Sequence, residues 1–262
     1  MKILSSKIFG LGPSILVFHG LFGNGENWIS FANKFSSDYQ IHLIDIRNHG
    51  SSFFSKKMNY DIISDDILNY INFYKLYNPI LLGHSMGGRA VMNFSIKYPL
   101  IPKKIIIVDI SPKFHDVHHN FIPILKKVNF NLIKTRNDLN IFLKLYIKDS
   151  RIRNFFSKCV GINSNGKLYF RFYLKGIEKN YNILIKKNIK IGKYSGPTIF
   201  LRGEYSDYIP INDKKYIKKI FPKSLILTIK KSGHWIHVDN SKEFYKEICI
   251  FLNKKSYYDL GF

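Results

Sequence analysis

The sequence predicts an α/β protein: a mostly parallel sheet covered by helices on both faces, with a helical cap inserted late in the chain. Three observations carry this. Short β-branched runs alternate with longer amphipathic stretches from Ser14 to Asp109. The same alternation returns from Thr198 to Leu252, and residues 112–195 between the two blocks break it. Strand–helix alternation of this kind is satisfied by parallel strands joined through right-handed crossovers.

The elements follow in order. ILVF (15–18), IHLID (41–45), PILLG (79–83) and KIIIVDI (104–110) are β-branched runs of four to seven residues, as expected of buried parallel strands. Helical periodicity fills 26–36, 60–77 and 86–98 between them. In the second block TIFLRG (198–203) and LILTIK (225–230) read as strands, 212–220 as a helix, and a last helix begins at Ser241 with Glu243 close behind. Segment 112–195 is rich in aromatics and lysine, mostly helical in period, and longer than any connection needs. The expected organisation is a core of 1–111 and 196–262, with 112–195 standing over it as the cap.

Composition narrows the function classes. No run approaches 18 uninterrupted apolar residues, and the apolar ILVF near the start is too short for a secretory signal, so we expect a soluble, unprocessed, cytoplasmic protein with no membrane span. Cys159 and Cys249 have no spacing partner and read as buried free thiols. The net charge of +23 invites a nucleic-acid reading. Against it, alanine occurs only at 32 and 90, lysine far outnumbers arginine, and the lysines are scattered, as AT-rich codons would scatter them. We therefore expect no nucleic-acid partner.

The chemistry centres on ILLGHSMGGRAVMNF (80–94), which contains G-x-S-x-G. Such a match arises by chance in about one chain in ten of this length, so its context decides. Here a strand precedes Ser85 and a helix follows it, which is the setting of a nucleophile elbow: the serine sits on a strained turn that only small neighbours such as Gly83 and Gly87 tolerate. The helix start offers the Met86 N–H for a developing oxyanion, and VFHGLFGN (17–24) brings a second strand end whose Leu21 N–H can serve the same space, with His19 and Gly20 shaping the loop.

A serine needs a base, and on sheets with this turn the acid and then the base follow it in the chain. His234, in KSGHWIHVDN after the last strand, stands where the base belongs, and His237 reads as a packing residue. His19, His42, His49 and His84 come too early; His84, beside the serine, is kept as a supporting residue. Two carboxylates, Asp109 after KIIIV and Asp207 in GEYSDYIP, end strands on the correct side, and either could orient His234. His115, His118 and His119 form an H-x-x-H-H cluster, which we read as hydrogen bonding at the cap hinge in preference to a metal site.

HGLFGNGENW, DIRNHGSS, GHSMGGRAVM, DISP and SGHWIHVDN, in this order and spacing, resemble the YbfF-type esterases of the α/β-hydrolase superfamily. The resemblance runs from about Pro13 to Leu252 and is weakest through the cap. It implies Ser85 as nucleophile, His234 as base and Asp109 as acid, with Ser206 adding a hydrogen bond, and Arg47, Asn48 and His49 holding a loop beside the site. Most of the wider superfamily takes its acid from the later position, which would be Asp207. The implied activity is cleavage of acyl esters or thioesters through an acyl-enzyme, with no cofactor or metal. One alternative is an esterase for methyl esters carried on acyl-carrier protein, as in biotin synthesis. A remoter one is a ligand-binding protein that kept the fold without the chemistry.

Overall fold

The computed structural model describes residues 2–116, 119–189 and 192–253. The chain enters through β1 (Ser6–Phe9) and β2 (Ser14–Phe18), then a 3₁₀ turn at Gly25–Trp28, α1 (Ile29–Phe35), β3 (Gln40–Ile44), α2 (Tyr60–Phe73), β4 (Ile80–His84), α3 (Met86–Lys97) and β5 (Lys104–Val108). Between β5 and the next strand of the sheet lie α4 (Ile122–Leu125), α5 (Arg136–Lys144), α6 (Ser150–Lys158), the hairpin strands β6 (Val160–Ile162) and β7 (Leu168–Phe170), and α7 (Leu174–Ile185). β8 (Thr198–Gly203), α8 (Lys214–Ile220), β9 (Ser224–Ile229), α9 (Ile236–Asp239) and α10 (Ser241–Asn253) complete the described chain.

Seven strands form one sheet in the order β1-β3-β2-β4-β5-β8-β9, all parallel except β1, which runs antiparallel to β3. β2, β4 and β5 are buried along their whole length, as strands covered on both faces must be. Alternation along β2 sorts the core: Ile15 and Val17 pack with α1 and α10, whereas Leu16 and Phe18 face the layer of α2, α3, α8 and the inserted segment. Buried Lys104 lifts its ammonium to the carbonyls of Phe251 (2.9 Å) and Leu252 (3.1 Å), fastening the end of α10 to β5.

The structure refines the sequence reading in four details. SKIF (6–9) is a strand, on an edge where only half its residues need be apolar. The run 104–110 stops as a strand at Val108, because Asp109 turns to φ 49°. The last helix begins at Ser241, as read, and its cap is Asn240: the Asn240 side-chain oxygen accepts from the Glu243 N–H at 3.2 Å and its amide donates to Glu243 Oε2 at 2.8 Å. Cys159 is buried, but Cys249 is only partly so.

Arg47, just past β3, lies inside the protein and is paired bidentately with Asp66 of α2, Nε at 2.5 Å and Nη2 at 2.6 Å, while Nη1 donates to the Lys57 carbonyl at 3.0 Å. Losing one partner strands a buried charge. Asp66→Ala should therefore cost about 3–5 kcal/mol in urea unfolding at pH 7, and Arg47→Met with Asp66→Leu should recover most of it. Equal losses in the single and double variants would refute this account of the pair.

Candidate active site

β4 runs directly into Ser85, and α3 begins at the next residue. Ser85 is held at φ 53°, ψ −119°, a conformation that side chains rarely adopt and that costs about 1–3 kcal/mol. Its N–H is fixed to the Val108 carbonyl at 3.1 Å and its carbonyl accepts from Arg89 N–H at 3.1 Å, so the turn is tied to β5 on one side and to α3 on the other. Crowding demands glycine here: a methyl on Gly83 would lie 2.3 Å from the Gly87 carbonyl oxygen, and one on Gly87 would lie 2.3 Å from that of Phe18. Met86, the first residue of α3, presents an N–H for which the helix has no acceptor.

The loop after β2 lies against this turn. Gly20 approaches so closely that a methyl there would sit 3.0 Å from His84 Nδ1 and 3.3 Å from Ser85 Cβ. Two buried histidines set the loop. His19 Nε2 accepts from Ile46 N–H (3.0 Å) and its Nδ1–H donates to the Gly20 carbonyl (2.8 Å); His49 Nε2 accepts from Phe22 N–H (3.1 Å) and its Nδ1–H donates to the Arg47 carbonyl (3.0 Å). Each ring thus uses one nitrogen as acceptor and is neutral, and burial depresses their pKa values to about 4 and about 3. Leu21, flanked by these anchors and followed by Phe22 at φ 66°, is partly buried.

Across the sheet edge, the fully buried Asp109 carboxylate collects three donors. Oδ1 accepts from Gly203 N–H at 2.9 Å, and Oδ2 accepts from the Ser206 hydroxyl and from His234 Nδ1–H, the latter at 2.8 Å. Asp207, one residue beyond Ser206, is exposed and is not the carboxylate on His234. His84 Nε2–H donates to the His234 carbonyl at 2.9 Å, and the two rings lie 4.6 Å apart. Burial and the neighbouring histidines hold the His84 pKa well below its ordinary value. His237 stacks on Trp28 at 4.2 Å as a packing ring. Among the described residues no hydrogen bond joins the Ser85 hydroxyl to His234.

The segment between β5 and β8 closes over these loops. Phe172 bridges to His49 in β fashion, Gly50 N–H donates to the Arg171 carbonyl at 2.6 Å, and Tyr173 N–H to the Asn48 carbonyl at 2.8 Å. Phe22 of the β2 loop meets Phe172 at 5.0 Å and Phe156 at 5.7 Å; Phe156 is buried and touches Phe121, while Phe155 and Phe142 are partly exposed. Phe155 also faces Trp235, the neighbour of His234.

The sequence reading did not single out two residues. Arg89, buried on α3, donates to the carbonyls of Lys187 (2.6 Å) and Lys113 (3.0 Å), holding both ends of the inserted segment. Tyr208 stacks on His234 with centroids 3.8 Å apart. An arginine four residues after the serine was the available signal for the first. The alternation of Ser206 inward, Asp207 outward and Tyr208 inward was visible only after folding. Of the H-x-x-H-H cluster, His115 pairs with buried Asp213 at 2.5 Å, His119 meets Phe121, and His118 lies outside the described residues. Among the described residues no group of three potential ligands could hold a metal ion, and no helix is long and apolar enough to cross a membrane.

The neutral histidines bear on stability. Because the folded state holds His19 and His49 neutral to about pH 4 and 3, while unfolded histidine protonates near 6.5, their contribution is complete above that value and is lost as the pH falls below it. Stability should drop by on the order of 1–2 kcal/mol per ring between pH 7 and 5. Urea midpoints across this range should show the drop, and His49→Gln should flatten it; an unchanged slope would contradict the neutral assignment.

Comparison with known proteins places this architecture. The α/β-hydrolase fold family model matches residues 13–143. A Haemophilus influenzae protein provisionally named as an esterase/lipase is 35% identical, the match spanning 92% of this chain and 84% of that one. Esterase YbfF of Escherichia coli is 26% identical over 92% of this chain and 93% of its own. A solved marine microorganism esterase superposes with a TM-score of 0.89 at 34% identity, covering 96% of this chain and all of that one. The chain belongs to the α/β-hydrolase family.

Proposed function

We propose that the protein is a carboxylic ester hydrolase that works through Ser85, His234 and Asp109 by way of an acyl-enzyme. The observation that carries this reading is the bond from His234 Nδ1–H to buried Asp109 at the carboxyl edge of a sheet whose central strand ends in the strained Ser85. That bond fixes the tautomer and leaves Nε2 as an acceptor. Relatives described as esterases support the same class.

In the proposed cycle Nε2 takes the Ser85 hydroxyl proton as Oγ attacks the ester carbonyl. The tetrahedral oxyanion is held by the N–H groups of Leu21 and Met86, preorganised by the His19 and His49 clamps and by the helix start. The imidazolium gives its proton to the leaving alkoxide, the C–O bond breaks, and the acyl group stays on Ser85. Water, deprotonated by the same nitrogen, attacks the acyl-enzyme and releases the acid and free serine. A thioester passes through the same steps with a thiolate leaving. The serine–base hydrogen bond of such sites commonly tightens only with substrate bound. Residues 112–195 act as the cap, and Phe155, Trp235 and Tyr208 give the approach to His234 an aromatic wall suited to an acyl chain.

Ser85→Ala should lower kcat on a chromogenic acyl ester by on the order of 10⁶ while leaving the fold intact. Asp109→Asn should lower it by about 10⁴, through the wrong tautomer, and Asp207→Asn by no more than a few fold. Collapse of the Asp207 variant alone would move the acid. Across esters of two to eight carbons kcat/KM should rise, each methylene buried on the aromatic wall contributing up to about 0.8 kcal/mol. A flat or falling series would remove the acyl-chain site.

A further inference from the structure

We propose that Tyr208 is a positioning residue that stabilises the protonated form of His234 through its ring face, and so sets the pH range and speed of the reaction; this rests on His234 being the base. The two rings are nearly parallel, 17° apart with centroids at 3.8 Å, closer than any other described ring lies to His234. The stack is built in. The backbone of Tyr208 is fixed from two sides, its N–H to Ser206 Oγ at 3.3 Å and its carbonyl to Ser111 N–H at 2.9 Å. Ser206 is the same residue that donates to Asp109. One hydroxyl therefore registers the carboxylate and the aromatic face on the same imidazole.

A neutral imidazole gains little electrostatically from an aromatic face, but an imidazolium lies over negative π density and gains a cation–π attraction. That attraction grows as the serine proton is transferred, so it favours the transition state over the ground state. The other groups around His234 do not supply it. Asp109 is hydrogen-bonded to Nδ1, His84 is tilted by 40° at 4.6 Å, Trp235 is tilted by 53° at 6.3 Å, and His237 meets His84 edge-on at 5.3 Å. Tyr208 is itself kept protonated by burial and by Asp109 and Tyr181, with Arg89 opposing them, so its ring is a neutral face.

The sign of the effect separates this role from simple shielding. Removing the π face destabilises the imidazolium, whereas removing a shield lets water stabilise it. Tyr208→Leu, and Tyr208→Met as a second replacement that fills the volume, should move the acid limb of kcat/KM on a p-nitrophenyl ester downward by about half a unit to one unit and lower the plateau kcat about 3- to 10-fold. Tyr208→Phe, which keeps the face, should hold the limb at its original pH. An acid limb that stays in place or moves upward in Leu and Met overturns the proposal. His234→Asn is the reference: a dead variant leaves the base assignment standing whatever Tyr208 does, and an active one overturns that assignment as well.

Discussion

The constraint on which the rest depends is the backbone of Ser85 at φ 53°, ψ −119°. Strain of that size persists only where the surroundings over-determine it. Here β4 is locked between β2 and β5, the serine N–H is tied to Val108, its carbonyl opens α3, and Gly83 and Gly87 leave no room for another arrangement. With the turn fixed, every other group is placed relative to it: the Gly20 loop beside it, Asp109 one strand over, and His234 folded back from beyond β9.

The site sorts its titratable groups by environment. Four histidines around it, His19, His49, His84 and His237, are kept neutral by burial and serve as hydrogen-bonding or packing pieces of fixed orientation. Of these five histidines, His234 is the one given a buried carboxylate. A second acid there would oppose the first, and the loop after β8 turns Asp207 outward while Ser206 and Tyr208 face in. The inserted segment is held by unlike devices, a β bridge to the His49 loop and the buried guanidinium of Arg89 on α3. Its position is thereby coupled to the helix that starts at the serine.

Much of this was legible in the sequence, because it rests on local rules. Apolar runs of fixed length give the central strands, and a small-residue turn between a strand and a helix marks Ser85. A histidine after the last strand marks His234. The remainder depends on geometry between distant segments. Whether Asp109 or Asp207 meets His234 turns on one left-handed residue at 109 and on the alternation of a short loop. The stacking of Tyr208 joins residues 26 apart through ring orientation alone, and β1 forms only because β3 offers it an edge. The aromatics of 112–195 carry no pattern that separates packing from lining: Phe156 is buried and adjacent Phe155 is not.

The central claim is that Ser85 is the activated nucleophile, and labelling it covalently tests that most directly. A fluorophosphonate incubated with the intact protein, followed by peptide mapping by mass spectrometry, should give one adduct per chain, on Ser85, formed far more slowly when His234 is replaced by Asn. Absence of an adduct, or its location on another residue, would contradict the account.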